Sequence, residues 1–341
     1  MRLATYNIEW FDALFDDEGA LLNNKGWSRR YNVVRSKQLA ALGTVFAAID
    51  ADAVMIIEAP DASEQRSTVT ALEEFAHHFK LRTRKALIGF ANHTQQEIAL
   101  LYDPDIMDVH HDPKGKKTGK KGTEGAPRFD GAFRWDLNID RAPEIVRFSK
   151  PPLEVALTLK SGPVLRLIGV HIKSKAPHGA NGAQEVMRIS IDNRRKQLAQ
   201  SIWLRHRVEN HLGAGDSVIV MGDFNDGPGL DEYEKLFGRS SIEIVLGDEG
   251  GPCLYDPHAM AAIGRDTGVV PSTSRFYLSH EKRYLEALLD YIMVSPDIAK
   301  TAPKWRIWHP NDDPDIKATP KLRKALQTAS DHYPVTIDIE F

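Results

Sequence analysis

Residues 218–225 read VIVMGDFN, an apolar run followed at once by an aspartate and an asparagine. A short run rich in β-branched residues is typical of a strand that is buried on both faces. Asp223 and Asn225 therefore come at the end of a predicted core strand, where α/β proteins assemble their sites. Taken alone, the two residues are equally compatible with a tight loop, because Asp and Asn favour turns.

The same kind of run recurs along the chain. Further apolar runs of four to eight residues predict strands at 3–6, 53–57, 98–102, 153–159, 164–170, 288–294 and 335–339. Helical spacing of apolar residues predicts helices within 32–49, 63–79 and 183–212. This order does not fit a strictly alternating β-α barrel. It predicts a mixed α/β protein with several strand-to-strand hairpins.

Composition describes a folded chain with a large core. The 341 residues are 42% hydrophobic and 27% charged, with a formal net charge of −3. Because the balance is not basic, affinity for nucleic acid requires a local basic patch. The single cysteine, Cys253, excludes an internal disulfide. With no apolar run of membrane-spanning length and no signal-peptide pattern at the start, we expect a cytoplasmic protein without a membrane span or an obligate protein partner.

No linker or internal repeat divides the chain, so we expect one domain over residues 1–341. Residues 112–127 read DPKGKKTGKKGTEGAP, with five lysines and four glycines. This composition predicts a mobile loop. Its lysines are candidates for contact with nucleic acid phosphates, although a solvated loop is the commoner role.

Polar residues stand at the ends of most predicted strands. They are Asn7 and Glu9, Glu58, His171 and Lys173, Asp223 and Asn225, and Asp331 and His332. Each has an ordinary structural interpretation as a cap, a turn residue or a core histidine. Asp290 lies inside an apolar run and is harder to explain, because burying a carboxylate without a partner is costly. The joint pattern is far more specific than any single residue.

Six short motifs, in this order, resemble the motif set of the endonuclease/exonuclease/phosphatase family over residues 3–339. They read TYNIE at 5–9, IIE at 56–58, GVHIKS at 169–174, MGDFN at 221–225, LDYI at 289–292 and SDH at 330–332. The resemblance implies a deoxyribonuclease I-like fold, which is a four-layer α/β/β/α sandwich of two packed sheets between helices.

The resemblance also implies a divalent cation, Mg²⁺ first, with Mn²⁺ or Ca²⁺ as alternatives. It assigns the main metal-binding role to Glu58, and it places Glu9 and Asp331 as further acidic residues beside the metal. Phosphodiester cleavage concentrates negative charge on the phosphoryl oxygens as water attacks. A cation held by these carboxylates would neutralise that charge.

The catalytic roles are implied in the same way. Asn7 matches an active-site amide, and Asp223 and Asn225 match the pair that orients the attacking water and the phosphate. Asp290 matches the carboxylate that orients the last histidine, and His332 matches that histidine, which faces the phosphate. Pairing with a carboxylate would raise the pKa of the imidazole and make it a good donor.

Other residues resemble the deoxyribonuclease I branch. His171 resembles its second histidine, and Glu97 resembles the carboxylate partner of that histidine. Lys150 stands where that branch carries an arginine. A lysine neutralises phosphate but lacks the bidentate fork. Lys173 is a second candidate for contact with phosphate. The general base is left open between Asp223 and His171 backed by Glu97.

We therefore predict a metal-dependent phosphoesterase that hydrolyses phosphodiester bonds with an activated water, with a nuclease as the first choice. The alternative is a small-molecule or lipid-headgroup phosphatase or phosphodiesterase of inositol phosphate or sphingomyelin type. Residues 288–292, LLDYI, depart from the inositol phosphatase motif, and no membrane hairpin is evident. The third alternative is an inactive binding module. Nothing motivates it, because every expected acid and both histidines are present.

Overall fold

The central strands are apolar on both faces because each one separates two different cores. In the strand Ala53–Pro60, Met55 and Ile57 point into an apolar cluster between two sheets, whereas Val54 and Ile56 pack beneath helices. Central strands of the second sheet alternate in the same way. Because successive side chains of a strand point to opposite faces of the sheet, one continuous apolar run supplies side chains to two cores.

The computed structural model describes residues 1–341 apart from 93, 95, 136–142, 161, 178, 229–236, 249, 265–270 and 279–281. Its strands are β1 (Arg2–Asn7), β2 (Ala53–Pro60), β3 (Lys85–Ile88), β4 (Gln96–Tyr102), β5 (Met107–His111), β6 (Phe133–Trp135), β7 (Glu144–Val146), β8 (Leu153–Leu159), β9 (Val164–His171), β10 (Ser217–Asp223), β11 (Ser274–Leu278), β12 (Arg283–Ala287), β13 (Asp290–Val294), β14 (Lys304–Ile307) and β15 (Val335–Asp338).

Each of the two packed sheets contains one parallel pair near its centre. The first sheet has the order β14-β15-β1-β2-β4-β3, and the second has the order β13-β10-β9-β8-β5. The parallel pairs are β1 with β2 and β9 with β10, and the other neighbours within these sheets are antiparallel. Two small ribbons, β6-β7 and β11-β12, stand apart.

Helices cover the outer face of each sheet. They are α1 (Arg35–Ile49), α2 (Thr68–His78), α3 (Ala183–Ala214), α4 (Ser241–Leu246), α5 (Pro257–Gly264), α6 (Pro296–Ala299), α7 (Pro314–Lys317) and α8 (Pro320–Ala329), with a 3₁₀ turn at Phe11–Leu14. Helices α1, α2 and α8 pack on the first sheet, and α3, α4 and α5 pack on the second. The layer order confirms the predicted four-layer α/β/β/α sandwich. None of the helices in the described ranges is both long and apolar enough to cross a bilayer.

The predicted strands and helices are all present, and β14 lies where the alternation of Trp305 and Trp308 indicates a strand, but six of the described strands were not predicted from the sequence. Two of them, β3 and β5, are edge strands. The other four form the two ribbons. Such strands bury at most one face, so they lack the continuous apolar run that identifies a central strand.

Residues 112–127 contain no helix or strand, yet hydrogen bonds attach the segment to its surroundings. Lys114 N donates to a carboxyl oxygen of Glu154 at 3.2 Å, and Arg207 Nη2 donates to the carbonyl of Ala126 at 2.9 Å. Thr118 Oγ1 donates to the carbonyl of Ala132 at 2.7 Å. Mobility of the lysines therefore stays a prediction. A single domain over 1–341 stays a proposal, which the apolar cluster shared by both sheets supports.

Candidate active site

The sheet registers place three candidate residues side by side. Asp223 at the end of β10 is opposite His171 on β9 and opposite Asp290 on β13. Asn7, at the end of β1 in the other sheet, donates from Nδ2 to Asp223 Oδ2 at 2.9 Å. The carboxyl ends of both parallel pairs therefore meet at one edge of the sandwich, and this contact joins the two sheets there.

An irregularity in β2 directs Glu58 toward this edge. The register with β4 shifts between Ile57 and Ala59, and Glu58 has a φ of 63°. A left-handed conformation is costly for a residue with a side chain, and such bulges often re-aim a side chain at a functional site. Glu58 Oε1 lies 4.0 Å from His171 Nε2. Burial raises the pKa of Glu58 to about 7, although the charges of Lys150 and His332 act against it.

Asp290 and His332 form the predicted pair. Asp290 Oδ2 accepts from His332 Nδ1 at 2.7 Å and from Thr273 Oγ1 at 2.8 Å. Burial lowers the pKa of His332, but the charge and hydrogen bond of Asp290 outweigh burial and hold that pKa well above its ordinary value. His332 is therefore an imidazolium at neutral pH. Its Nδ1–H is used by Asp290, which leaves Nε2–H as a donor for an anion.

Asp223 is buried and held by amide donors. Its Oδ2 accepts from Asn7 Nδ2 and from Asn225 Nδ2 at 3.1 Å, and its Oδ1 accepts from Asn225 N at 2.7 Å. Asn225 itself has a φ of 50°, which turns its backbone N–H and its amide to the same carboxylate. Burial raises the pKa of Asp223 to about 6, with His332 opposing the shift. Such a carboxylate is ionised at neutral pH and accepts a proton more readily than an ordinary one.

Lys150 determines which nitrogen of His171 carries the proton. Lys150 Nζ lies 3.1 Å from His171 Nδ1, and an ammonium can only donate. Burial, together with the charges of Lys150 and His332, holds the pKa of His171 well below its ordinary value. The neutral ring then carries its proton on Nε2, which lies 3.6 Å from Asp223 Oδ2. In this tautomer His171 is a donor toward the site and has no free lone pair there.

The predicted contact between Glu97 and His171 is not formed. The carboxyl oxygens of Glu97 accept from Asn92 instead, from N at 3.1 Å and from Nδ2 at 2.7 Å. Lys150 lies against the nitrogen that a carboxylate partner would need, and Lys150 also donates to Gln96. Lys150, which was expected to contact phosphate, therefore takes the position beside His171 that was expected for Glu97.

Glu9 and Asp331 lie together beside His332. Burial and the charge of Asp331 raise the pKa of Glu9 to about 7, and Arg30 acts against this shift. Arg30 donates directly to Glu9 Oε2. A carboxylate that is already paired with a guanidinium is a weaker metal ligand, so the predicted metal role of Glu9 requires Arg30 to give up this contact. Arg30 could not be identified from the sequence, because it lies far from every motif.

Lys173 lies at the margin of the site. Its backbone N donates to Gln200 Oε1 at 2.9 Å, and its Nζ donates to the carbonyl of Ser174 at 3.1 Å. Behind Asn225, the buried Asp226 accepts from Lys175 Nζ at 2.8 Å and from Ser241 N at 2.7 Å. Asp226 also forms an ion pair with Arg194. These contacts anchor the loop that carries Asn225, a role that the sequence analysis missed although Asp226 adjoins the motif.

The oxygen donors at this edge suit a hard divalent cation. Asn7 Oδ1 is buried without a hydrogen-bond partner in the described part of the chain. Glu58 nearby is a carboxylate whose charged form is disfavoured by burial, as its raised pKa indicates. No group of three His, Cys, Asp or Glu side chains forms a ready-made metal cage within the described residues. Mg²⁺ does not require one, because it usually keeps several waters and binds through one or two carboxylates.

Carboxylates, amides and one imidazolium at the shared edge of a four-layer sandwich define the class of metal-assisted phosphoesterases. The chain belongs to the Endonuclease/Exonuclease/phosphatase family, whose sequence model matches residues 4–332. Members of this family are phosphoric ester hydrolases that generally use divalent metal ions, commonly Mg²⁺. The chain is therefore an enzyme of that type.

Solved structures with this fold are similar over almost their whole length. Truncated TDP2 from Caenorhabditis elegans has a TM-score of 0.51 at 13% identity, covering 100% of this chain and 97% of that one. The mannosyl-6-phosphatase Bt3783 of Bacteroides thetaiotaomicron has a TM-score of 0.50 at 14% identity, covering 100% of both chains. At such identity the likeness shows the fold alone. No curated protein matches the sequence.

Proposed function

We propose that the enzyme hydrolyses phosphodiester bonds with an activated water and that its natural substrate is a nucleic acid. The proposal is carried by one observation, the row of His171, Asp223 and Asp290 across three strands with His332 hydrogen-bonded to its end. This row provides a proton acceptor between two imidazole donors. An anionic ester attacked by water needs both kinds of group.

Asp223 is the general base in this proposal. Its Oδ2 is held by Asn7 and Asn225, and its pKa of about 6 leaves it ionised at neutral pH. His171 is not the base in this proposal, because its Nδ1 faces Lys150 and the tautomer that this contact favours carries the proton on Nε2. The choice that the sequence left open therefore falls on Asp223.

The remaining groups stabilise negative charge. His332 donates from Nε2 to a phosphoryl oxygen, and Asp290 keeps the ring oriented and charged. His171 Nε2–H and the Lys150 ammonium supply further donors next to Asp223. A cation held by Glu58 and Asn7 Oδ1 would neutralise charge on the phosphoryl oxygens when bound.

A nucleic acid is favoured over a small ester by charge outside the site. Strand β5 runs parallel to β9 through the intervening antiparallel β8, so its carboxyl end points toward the edge that carries His171 and lies level with Leu167. The lysine-rich segment 112–127 leaves the sheet from that end, with Lys116, Lys117 and Lys120 exposed. A small ester would not reach these lysines, whereas a polyanion would.

The test is an activity screen in Mg²⁺ or Mn²⁺, with EDTA as the metal-free control. Substrates are bis-p-nitrophenyl phosphate, p-nitrophenyl phosphate, single- and double-stranded DNA, RNA, sphingomyelin and inositol phosphates. We expect diester and nucleic acid hydrolysis. Cleavage confined to monoesters would instead favour a phosphatase, such as a sugar phosphatase. Exclusive cleavage of sphingomyelin or inositol phosphates would favour the lipid or inositol alternative.

The same assay tests the assigned residues. Asp223→Ala and His332→Ala should each reduce turnover of the diester at least about a hundredfold, because a general base and an electrostatic donor each contribute on this scale. Asp17→Ala, an exposed aspartate on the β1–α1 connection, is the matched control and should leave turnover unchanged. Near-normal hydrolysis by either site variant would remove that residue from the mechanism.

A further inference from the structure

Exposed aromatic side chains are concentrated beside the site. Seven aromatic residues are exposed in the described part of the chain, and five of them lie on two segments that border the site. They are Trp10, Trp27 and Tyr31 on the β1–α1 connection and Tyr277 and Tyr284 on the β11-β12 ribbon. We call these five residues the aromatic rim. Tyr31 is 96% exposed and Trp27 is 65% exposed, so neither belongs to a core.

The β1–α1 connection is fixed to the site by its polar residues. Trp10 directly follows Glu9, and Arg30 donates to the Glu9 carboxylate. Trp27 Nε1 donates to the carbonyl of Arg30 at 2.8 Å. The guanidinium of Arg29 lies over the Trp10 ring, 5.7 Å from its centroid. These contacts hold two exposed indoles next to the acidic pair of Glu9 and Asp331.

The β11-β12 ribbon has one face against the site and one face outward. On the inner face, Phe276 packs against the His332 ring with centroids 5.4 Å apart. On the outer face, Tyr277 and Tyr284 are register partners with centroids 5.1 Å apart. The guanidinium of Arg275 lies over the Tyr284 ring, 4.1 Å from its centroid. The ribbon thus connects an exposed tyrosine pair to the imidazolium of the site.

Both halves of the rim meet at the segment that carries Ser330 and Asp331. The backbone N of Glu9, which adjoins Trp10, donates to Ser330 Oγ at 3.1 Å. The backbone N of Arg275 also donates to the carbonyl of Asp331 at 2.7 Å. The two segments are therefore neighbours on one side of the site, and their aromatic residues form one interrupted surface.

We propose that the aromatic rim binds unpaired nucleotides next to the scissile phosphate by stacking on their bases. Aromatic rings accompanied by guanidinium groups are the pattern by which proteins bind single strands, because rings stack on bases and guanidinium groups compensate phosphates. Arg29 and Arg275 form ion pairs with Asp12 and Glu286, and these pairs hold the two guanidinium groups against the rings. Trp and Tyr rings also suit a membrane interface, so binding of phosphatidylcholine vesicles in place of the oligonucleotide would overturn the inference. The inference rests on the proposed action on nucleic acid and specifies its single-stranded form.

The test measures the binding of a fluorescein-labelled oligothymidylate by anisotropy in EDTA, where no hydrolysis occurs. The double variant Tyr277→Ala/Tyr284→Ala should weaken binding about tenfold or more, because each lost stacking interaction costs a large factor in affinity. The variant Tyr277→Phe/Tyr284→Phe keeps both rings and should stay within about twofold of the wild type. Tyr255→Ala is the matched control, since Tyr255 is an exposed tyrosine beside Val294, at the far end of β13 from Asp290.

Hydrolysis of bis-p-nitrophenyl phosphate separates this inference from the proposed function. The alanine pair should hydrolyse this small diester as the wild type does. If the wild type cleaves the diester but the alanine pair binds the oligonucleotide normally, the stacking role is wrong and the proposed chemistry stands. Absence of oligonucleotide binding by the wild type, equal losses for single strand and duplex, or an equal loss in Tyr255→Ala would also overturn the inference. If the wild type cleaves no diester, the proposed function itself fails.

Discussion

At the residue scale, the most informative contact is that between Lys150 and His171. An ammonium facing Nδ1 places the imidazole proton on Nε2, so Lys150 decides what the neighbouring histidine can do. The resemblance to the deoxyribonuclease I branch implied a carboxylate at this place, which would give the opposite tautomer. We therefore expect His171 to act as a proton donor here and not as the base.

Replacing Lys150 by methionine should change both the pKa and the tautomer of His171. Loss of the positive charge should raise the depressed pKa of His171, because that charge is one cause of the depression after burial itself. The ring should also lose its single tautomer. Nitrogen-resolved NMR of the imidazole measures both changes, and Lys150→Arg keeps the charge as the control. An unaltered tautomer in the methionine variant would show that Lys150 does not set it.

The pH dependence of turnover follows from Asp223. Burial raises its pKa to about 6, so the group is protonated and cannot accept a proton below that pH. The value of kcat/KM for the small diester should therefore rise with pH through about 6 and level off above it. The measurement is a pH–rate profile with the fold monitored at each pH. A flat profile across this range would contradict Asp223 as the base.

At the element scale, the bulge in β2 decides whether Glu58 reaches the site. A strand that kept its register would alternate its side chains regularly, and the shift between Ile57 and Ala59 breaks that alternation. The left-handed conformation of Glu58 is the local cost of this change. The strand could be predicted from its apolar run, but the bulge could not, because no residue in 53–60 has a special preference for it.

Glu58→Ala should weaken Mg²⁺ binding at least about tenfold, because the variant removes the carboxylate assigned to the cation. Isothermal titration with Mg²⁺ above pH 7, where Glu58 is ionised, measures the loss directly and does not depend on turnover. Glu73→Ala on α2 is the control, since Glu73 pairs with Lys85 away from the site. Equal affinity in the two variants would mean that the metal position is assigned wrongly.

At the scale of the whole molecule, the sequence was sufficient for the layers and for most of the site. Central strands are apolar on both faces, and their polar ends could be found without the structure. Long-range pairings could not be predicted, because Arg30 meets Glu9 and Lys150 displaces Glu97 only through the packing of distant segments. The aromatic rim could not be predicted from the sequence for the same reason. Its members are far apart in sequence, and its ribbon strands bury only one face.

The lysine-rich segment gives a prediction for the whole surface. Replacing Lys116, Lys117, Lys120 and Lys121 by serine should flatten the salt dependence of nucleic acid binding, with the slope falling by about one for each lysine that contacts a phosphate. Hydrolysis of the small diester should not change. The measurement is the oligonucleotide affinity across a range of salt concentrations. An unchanged slope would mean that these lysines are solvated and do not contact the nucleic acid.

The hydrogen bond from Asn7 to Asp223 has a consequence for the chain as a unit. Strand β15 lies beside β1, so the first sheet is built from both terminal regions, and the second sheet is built from the stretch between them. No single cut in the polypeptide can yield a piece that holds the first sheet intact without the second sheet. The site therefore forms only when the early, middle and late stretches of the polypeptide have folded together, and hydrolysis requires all three.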